Sequence, residues 1–332
     1  MNCTIRIYLG FITSAIIILL LSSCIKENPD TCRISVSFEY SYNLLSANAL
    51  EAQVDELMLY VFDENGVLVS MYNQQNNAIS NSMIIEMDKL QTGHYQLVAW
   101  AREADSAKEN ADFIIPNLTI GESQVQDLKY FLPRVYNMCK DELNHFFVGI
   151  EDAHIENSPG VQFIKVQLKK VTKKVRIVIM PYIPLSTLDV NSYSFRIEDP
   201  VGNGYINYDY SVLADTPITY TPYHRENITI SEESNIGNQL SHVIVAEIAT
   251  SRLLVSHNPR LLISNSDETH NIVDINLPLL FSLTEMENHK NWSLQEYMDK
   301  QDEFVITLFF DNGQWMDGTI IINGWIINNV IL

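Results

Sequence analysis

Residues 32–40 read CRISVSFEY, and this stretch decides the fold class of the chain. Apolar side chains stand at every second position, and polar or charged side chains fill the positions between them. The apolar positions are Ile34, Val36, Phe38 and Tyr40. Because successive side chains of a β-strand point to opposite faces of the sheet, this spacing predicts a strand with one buried and one solvated face.

Strand patterns of this kind continue to the end of the chain. Residues 54–62 are apolar on both faces, as in a central strand, and 63–66 form a hairpin turn because Asn and Gly tolerate positive φ. The other predicted strands are 67–69, 83–87, 95–101, 113–115, 161–168, 171–180, 193–197, 205–210, 243–248, 261–263, 272–277, 304–310 and 319–327. The pattern therefore predicts an all-β protein.

The domain count follows from length and from one turn signal. The 332 residues exceed what one hydrophobic core usually holds, so we expect two β-sandwiches. Pro159 and Gly160 stop both helix and sheet ladder, which sets the N-terminal sandwich at 32–158 and the C-terminal one at 159–332. One short helix of roughly three turns is expected in the second sandwich, where Ser293 and Glu296 form a capping box.

The N-terminus has the organisation of an export signal. Arg6 precedes the apolar run 8–21, which is shorter than the about 20 residues of a bilayer span. Small residues then lead directly to Cys24, an arrangement that resembles the bacterial lipobox. We therefore expect residues 1–23 to be a lipoprotein signal peptide, Cys24 to carry covalent lipid, and 24–31 to be a polar tether.

Charge and motif content exclude several function classes. A net charge of −20 argues against nucleic acid as a partner, because phosphate binding needs clustered Lys and Arg. Phosphate loops, dinucleotide fingerprints, nucleophile elbows and zinc motifs are missing from the sequence, and the histidines are scattered. We expect no enzyme activity, no metal site and no cofactor besides the lipid. The acids Glu296, Asp299, Asp302 and Glu303 are expected to form a solvated helix face.

Lysines crowd one stretch of this acidic chain. Its candidate docking stripe for an acidic partner or for lipid phosphates consists of Lys169, Lys170, Lys173 and Lys174. The alternative is a hairpin with a solvated face, on which lysines prevent stray strand pairing.

Two cysteines remain after the signal and the lipid site are set aside. Cys32 and Cys139 are a candidate disulfide in an exported protein, and two buried free thiols are the alternative.

With these features in view, the chain resembles the FimB-type fimbrial anchor lipoproteins of Bacteroidetes, also called minor-fimbrium anchoring subunits. The resemblance runs over nearly the whole chain. It rests on the lipobox and on segments 32–40, 54–63, 93–100, 251–253, 295–299 and 322–325.

This resemblance implies two tandem transthyretin-like β-sandwiches and a lipid-anchored place on the outer membrane at the cell surface. It implies fimbrillin stalk subunits as partners, joined by β-strand complementation. Related stalk subunits are thought to lose their first strand to a protease. Here that loss would also release the lipid, so we expect strand 34–40 to stay in place, to fill its groove and to limit fimbrial length.

The C-terminus is the candidate donor strand. Residues 325–332 are apolar and carry no charged side chain, with Trp325, Ile327, Val330 and Leu332 as the candidate inserting residues. The alternative is a final strand paired within its own domain. A rival function, carbohydrate binding within a polysaccharide-uptake system, would use Trp292 or Trp315 as exposed platforms, whereas Trp100 and Trp325 are expected in the core.

Overall fold

The computed structural model describes residues 33–87, 90–104, 112–156, 160–183, 188–234, 237–284 and 291–328. Within them the chain is mostly β, as predicted, and it forms two sandwiches. Short 3-10 turns lie at Asn76–Ala78, Val125–Asp127, Val190–Ser192 and Val255–His257.

One seven-stranded sheet builds the first sandwich. Its strand order is β3-β2-β5-β8-β9-β1-β4, and a four-residue helix, α1 (Leu50–Gln53), follows β1. The strands of the first half are β1 (Arg33–Glu39), β2 (Glu56–Asp63), β3 (Leu68–Gln75), β4 (Ile84–Met87), β5 (Gly93–Arg102), β6 (Lys129–Phe131), β7 (Met138–Cys139), β8 (Phe146–Ile155) and β9 (Val161–Lys170).

The first core lies between two parts of this sheet. Strand β9 pairs in parallel with all of β1, but it pairs with β8 only through its last three residues, 168–170. The two parts of the sheet face each other across this core, and the alternating residues of β1 pack against those of β2, β5 and β9. Ile34 and Val36 are fully buried there, as their spacing predicted.

The second sandwich has two separate sheets, ordered β14-β15-β10-β18-β19-β20 and β17-β16-β11-β13-β7. Its elements are β10 (Lys173–Pro181), β11 (Tyr193–Asp199), β12 (Tyr205–Asn207), β13 (Ile218–Tyr220), β14 (His224–Ser234), β15 (Gly237–Thr250), β16 (Arg260–Asn265), β17 (Asn271–Asn276), α2 (Leu277–Ser282), α3 (Leu294–Lys300), β18 (Glu303–Asp311), β19 (Gln314–Ile322) and β20 (Trp325–Asn328). Apolar side chains of both sheets and both helices fill one core.

The two sandwiches are interlocked, so the expected boundary at 158/159 is wrong. Strand β9 belongs to the first sheet, and the chain enters the second half only after Lys170. Gly160, at φ 129, directly precedes β9. In addition, β6 and β7 come from the first half but pair with β12 and β13 of the second. A Pro-Gly pair signals a turn, but it does not say which sheet the next strand joins.

Only the Ser293 half of the capping box is confirmed, because the Glu296 carboxylate pairs with Lys300 at 2.9 Å, and a second helix was missed. The Ser293 hydroxyl accepts from the amide of Glu296 at 3.1 Å, and α3 is seven residues long, about one turn shorter than expected. Helix α2 begins where the apolar run 272–277 had indicated only strand. Its signals are the Asn276 side chain, which caps the amide of Leu279 at 2.9 Å, and Pro278 in the first turn.

Candidate functional site

Two of the four stripe lysines are buried at the junction between the sandwiches. The side chains of Lys170 and Lys173 are 5% and 1% exposed. The Lys170 ammonium donates to Gln53 at 2.9 Å and lies 3.5 Å from an Asp302 carboxylate oxygen. Lys173 donates to the backbone carbonyls of Asp299 and Gln301. The prediction of an exposed stripe is therefore wrong for Lys170 and Lys173. The chain passes from the first sandwich to the second at these residues, and their ammonium groups pair with acceptors at the junction.

The outer two lysines remain nearer to solvent. Lys174 keeps 36% of its side chain exposed and pairs with Glu247 at 3.1 Å. The Lys169 ammonium lies 5.1 Å from the ring of Tyr42. They lie on either side of a buried pair and do not form one continuous stripe with it.

Asp299 contradicts the expectation of a solvated acidic helix face. It is 3% exposed, and its carboxylate accepts from the Arg252 guanidinium at 2.8 and 2.7 Å. The guanidinium also lies 4.0 Å from the ring of Tyr210, whose hydroxyl donates to the Lys170 carbonyl at 3.0 Å. Burial of a charged group is costly unless it is paired, and these contacts supply the pairing. We call Tyr40, Lys170, Lys173, Tyr210, Arg252, Asp299 and Asp302 the junction cluster.

Burial changes the acid–base properties of the junction cluster. It lowers the pKa of Lys173 to about 8, a shift that the nearby Asp302 and Asp299 carboxylates oppose. It also raises the pKa of Tyr40, and the Asp302 carboxylate adds to that effect. The Tyr40 hydroxyl therefore stays protonated and donates to Asp302 at 2.6 Å. Because Tyr40 directly follows β1, this bond ties the first strand to the second sandwich.

The junction cluster brings together two segments that carried the family resemblance, 251–253 and 295–299. The Gln295 amide donates to the Leu253 carbonyl and to Asp299, each at 3.0 Å, and its oxygen accepts from the Val255 amide at 2.8 Å. Sequence reasoning did not pair these segments. The available signal was an arginine in one segment and an acid in the other.

The C-terminal strand is paired within its own chain. Strand β20 hydrogen-bonds to β19 at the edge of the six-stranded sheet, which agrees with the alternative to donation for residues 325–328. Donation to another subunit stays a prediction. Val330 and Leu332 lie outside the described residues, as does the side chain of Ile327. Trp325 and Ile326 are 52% and 62% exposed, so the expected core position of Trp325 is wrong; β20 is an edge strand.

The two tryptophans proposed as platforms are only half exposed. Trp292 is covered by the Lys300 ammonium, which lies 3.7 Å from the ring centroid, and Trp315 packs against the second core. Trp100 is buried as expected.

The candidate disulfide and lipid site stay predictions. Cys24 and Cys32 lie outside the described residues. Cys139 lies in β7, which pairs with β13, and burial raises the pKa of its thiol to about 11.

An open cleft of about 740 Å³ lies at one end of β5 and β8. The β2–β3 turn, 63–66, and Tyr208 of the second half form its other walls. The rings of His94 and His154 lie 4.2 Å apart in it, and Gln96 donates to Asp152 at 3.0 Å. In the part of the chain that the structure describes, no group of three acidic, histidine or cysteine side chains is placed to hold a metal ion.

The described residues also include no helix long and apolar enough to cross a bilayer.

Comparison with solved structures identifies proteins that are similar over about 90% of this chain. A candidate polysaccharide-binding protein from Bacteroides thetaiotaomicron is 30% identical, with a TM-score of 0.74 over 90% of this chain and 98% of that one. A candidate adhesin from the same species is 25% identical, with a TM-score of 0.77 and the same coverage. The fimbrial anchor protein Mfa2 from Porphyromonas gingivalis shares the fold at 17% identity and a TM-score of 0.63, over 90% and 100% of the two chains.

Comparison with curated protein sequences gave no match. A family model described as fimbrillin-A associated anchor proteins Mfa1 and Mfa2 matches residues 28–330. Because that match spans nearly the whole chain, the protein belongs to the family of fimbrillin-A associated anchor proteins.

Proposed function

We propose that this protein is a lipid-anchored outer-membrane protein that holds fimbriae on the cell surface and limits their length. Membership of the fimbrial anchor family over residues 28–330 is the observation that carries this proposal. The lipid on Cys24 supplies the membrane attachment, and fimbrillin stalk subunits are the partners. The protein acts by binding and not by catalysis.

The packing of β1 supports a role at the end of a fimbria. Both edges of this strand are hydrogen-bonded, one to β9 and the other to β4. Its apolar side chains are buried, and Tyr40 is fixed to Asp302. A subunit that keeps its first strand presents no vacant groove at that position for a donated strand. Growth would therefore stop where this subunit is added.

The direction of β1 supports a membrane-facing end. The strand begins at Arg33, where the tether joins, and ends beside Tyr40 at the junction with the second sandwich. At about 3.3 Å per residue, these ends lie about 20 Å apart. The tether thus enters the first sandwich at the end of β1 that points away from the junction.

Deletion of the gene tests this function. Deletion mutants should release fimbriae into the medium, and fimbriae sheared from them should be longer in electron micrographs than wild-type ones. Re-expression of the full chain should restore both properties. Normal attachment in the deletion mutant would contradict anchoring, and unchanged length with lost attachment would contradict only the length-limiting part.

C-terminal strand donation has its own test. A variant that lacks residues 328–332 should fold, because β20 is an edge strand, but should lose fimbriae. If this variant still retains fimbriae on cells, the donor proposal is wrong and internal pairing is the strand's function.

Glycan binding is the second candidate function. Its supporting observation is the open cleft, where imidazoles, carboxylates and Tyr208 offer the mixed polar and aromatic lining that sugars require. The relative that is 30% identical is described as a candidate polysaccharide-binding protein. Glycan-array binding that is lost in His154→Ala, but kept in Trp292→Ala, would favour this function and place it in the cleft.

A further inference from the structure

A tight hairpin turn holds a tyrosine almost completely in solvent. The backbone of Val135 and Met138 exchanges hydrogen bonds of 3.0 and 2.9 Å, and the two residues between them have positive φ, 49° at Tyr136 and 64° at Asn137. These values define a type I′ turn, whose first central position is normally Asn, Asp or Gly. A bulky side chain at positive φ is uncommon. Tyr136 is nevertheless there, and it is 96% exposed.

A buried ion pair fixes the start of this turn. The Arg134 guanidinium donates to both carboxylate oxygens of Asp215, at 2.7 and 2.5 Å, and the two side chains are 9% and 2% exposed. The guanidinium also lies 5.4 Å from the ring of Phe131 and 5.8 Å from that of Tyr205. Such a bidentate pair sets direction as well as distance, so the chain leaves Arg134 along one defined path.

A second set of contacts fixes the end of the turn. The backbone carbonyl of Asn137 accepts from the Thr219 amide at 2.9 Å, and the side-chain oxygen of Asn137 accepts from the Thr216 hydroxyl at 3.1 Å. Met138 then pairs with β13. The turn is therefore held from both sides, while the Tyr136 side chain is exposed. We call Val135–Met138 the tyrosine finger.

The side chains of the tyrosine finger itself are uncharged. Val135 and Met138 are 65% and 48% exposed, and residues 135–138 include no charged side chain. A neutral, apolar projection stands out on a chain whose net charge is −20.

We propose that the tyrosine finger inserts Tyr136 into an apolar pocket of a fimbrial subunit. This proposal rests on the proposed anchoring function and names the surface through which it acts. Backbone strain persists where surrounding contacts enforce it, and it concentrates at functional sites. Because the backbone on both sides of Tyr136 is already held in place, binding costs little backbone entropy, and aromatic anchors dominate protein interfaces.

The shape and charge of the finger decide the kind of partner. Small-molecule sites are concave, whereas the finger projects and must itself enter a cavity. Binding to an anionic lipid surface normally uses Lys or Arg, which residues 135–138 do not contain. An uncharged contact also lets an acidic protein meet its partner without like-charge repulsion. These properties fit a protein pocket that is lined by apolar side chains.

The test measures binding of the full-length protein, in detergent, to fimbriae sheared from a strain that lacks it. Tyr136→Asn should raise Kd about tenfold or more. Tyr136→Phe, which keeps the ring, should stay within about threefold of wild type. Tyr182→Asn is the matched control, because Tyr182 is a 59% exposed tyrosine of the second half that lies outside the finger. It should bind like wild type.

The outcomes separate this proposal from the function on which it rests. If the wild-type protein does not bind fimbriae, the proposed function and the finger fail together. If wild type binds and Tyr136→Asn binds equally well, only the finger is wrong. Equal losses in Tyr136→Asn and Tyr182→Asn would also overturn it, because the effect would then not be specific to the finger.

A photo-crosslinking residue at position 136 identifies what covers the finger. On cells, a product that joins this chain to a fimbrial subunit supports the proposal. Crosslinks only between two copies of the chain, or only to lipid, would overturn it.

Discussion

Replacement of Asp299 by Asn should strongly lower the free energy of unfolding, because it removes the carboxylate that neutralises Arg252. The two side chains are 5% and 13% exposed, so water can do little to replace the lost charge. Loss of one partner from a buried ion pair costs about 3–5 kcal/mol. Asn keeps one acceptor for the guanidinium and for Gln295, so we expect a loss near the lower end, about 3 kcal/mol of unfolding free energy.

Urea unfolding of the purified chain, followed by tryptophan fluorescence, measures this loss. The matched control is Glu296→Gln on the same helix. Glu296 pairs with Lys300 at 2.9 Å, but its side chain is 34% exposed, so the change should cost less than about 0.5 kcal/mol. If Asp299→Asn costs less than about 1 kcal/mol, or no more than the control, the junction cluster is not the structural tie described above.

Three further predictions concern stability. Lys173 has a pKa of about 8 in the folded chain and 10.5 in the unfolded chain. Between these pH values the unfolded state binds more protons, so the free energy of unfolding rises with pH. From pH 8 to pH 10 wild type should gain about 2 kcal/mol relative to Lys173→Met, and parallel pH profiles of the two proteins would contradict this. In Gly204→Ala, the new methyl group would lie 2.6 Å from the Arg134 guanidinium and 2.8 Å from the Asp215 carboxylate. Calorimetry should therefore show a loss of about 2 kcal/mol in the free energy of unfolding. An unchanged thermal midpoint would refute this close approach. Tyr136→Asn should stabilise the chain by about 1 kcal/mol in urea unfolding, because Asn accepts positive φ at lower cost, and a destabilised variant would show that Tyr136 is not strained.

Local periodicity predicted the strands well where one face is buried. In β1 every second residue enters the first core, so a period of two predicted both the strand and which of its faces is buried. Which sheet β9 joins was not predicted, because strand pairing depends on partners that are distant in sequence.

Long-range charge pairing was the main feature that the sequence concealed. Lys170 and Lys173 look like surface residues because lysines seldom occupy a protein interior. Their acceptors in Gln53, Asp302 and the α3 carbonyls come from segments more than a hundred residues away. Arg252 and Asp299 also pair from separate segments, which lie 47 residues apart. Both segments carry the family resemblance, but only the fold shows that they meet.

The tyrosine finger was missed for a different reason. Type I′ hairpins are usually recognised by Asn-Gly or Asp-Gly, and Tyr136-Asn137 matches neither pair. The turn forms because Arg134, Asn137 and Met138 are fixed by second-half residues, which local sequence cannot reveal.

We propose that this chain ties fimbriae to the membrane through Cys24. The most direct test replaces Cys24 with Ala on the chromosome and measures the distribution of fimbrial subunits between cells and medium by quantitative immunoblotting. We predict that most fimbriae leave the cells and that this protein leaves with them. Fimbriae that stay on the cells at wild-type levels, while the variant protein is exported and folded, would contradict the claim.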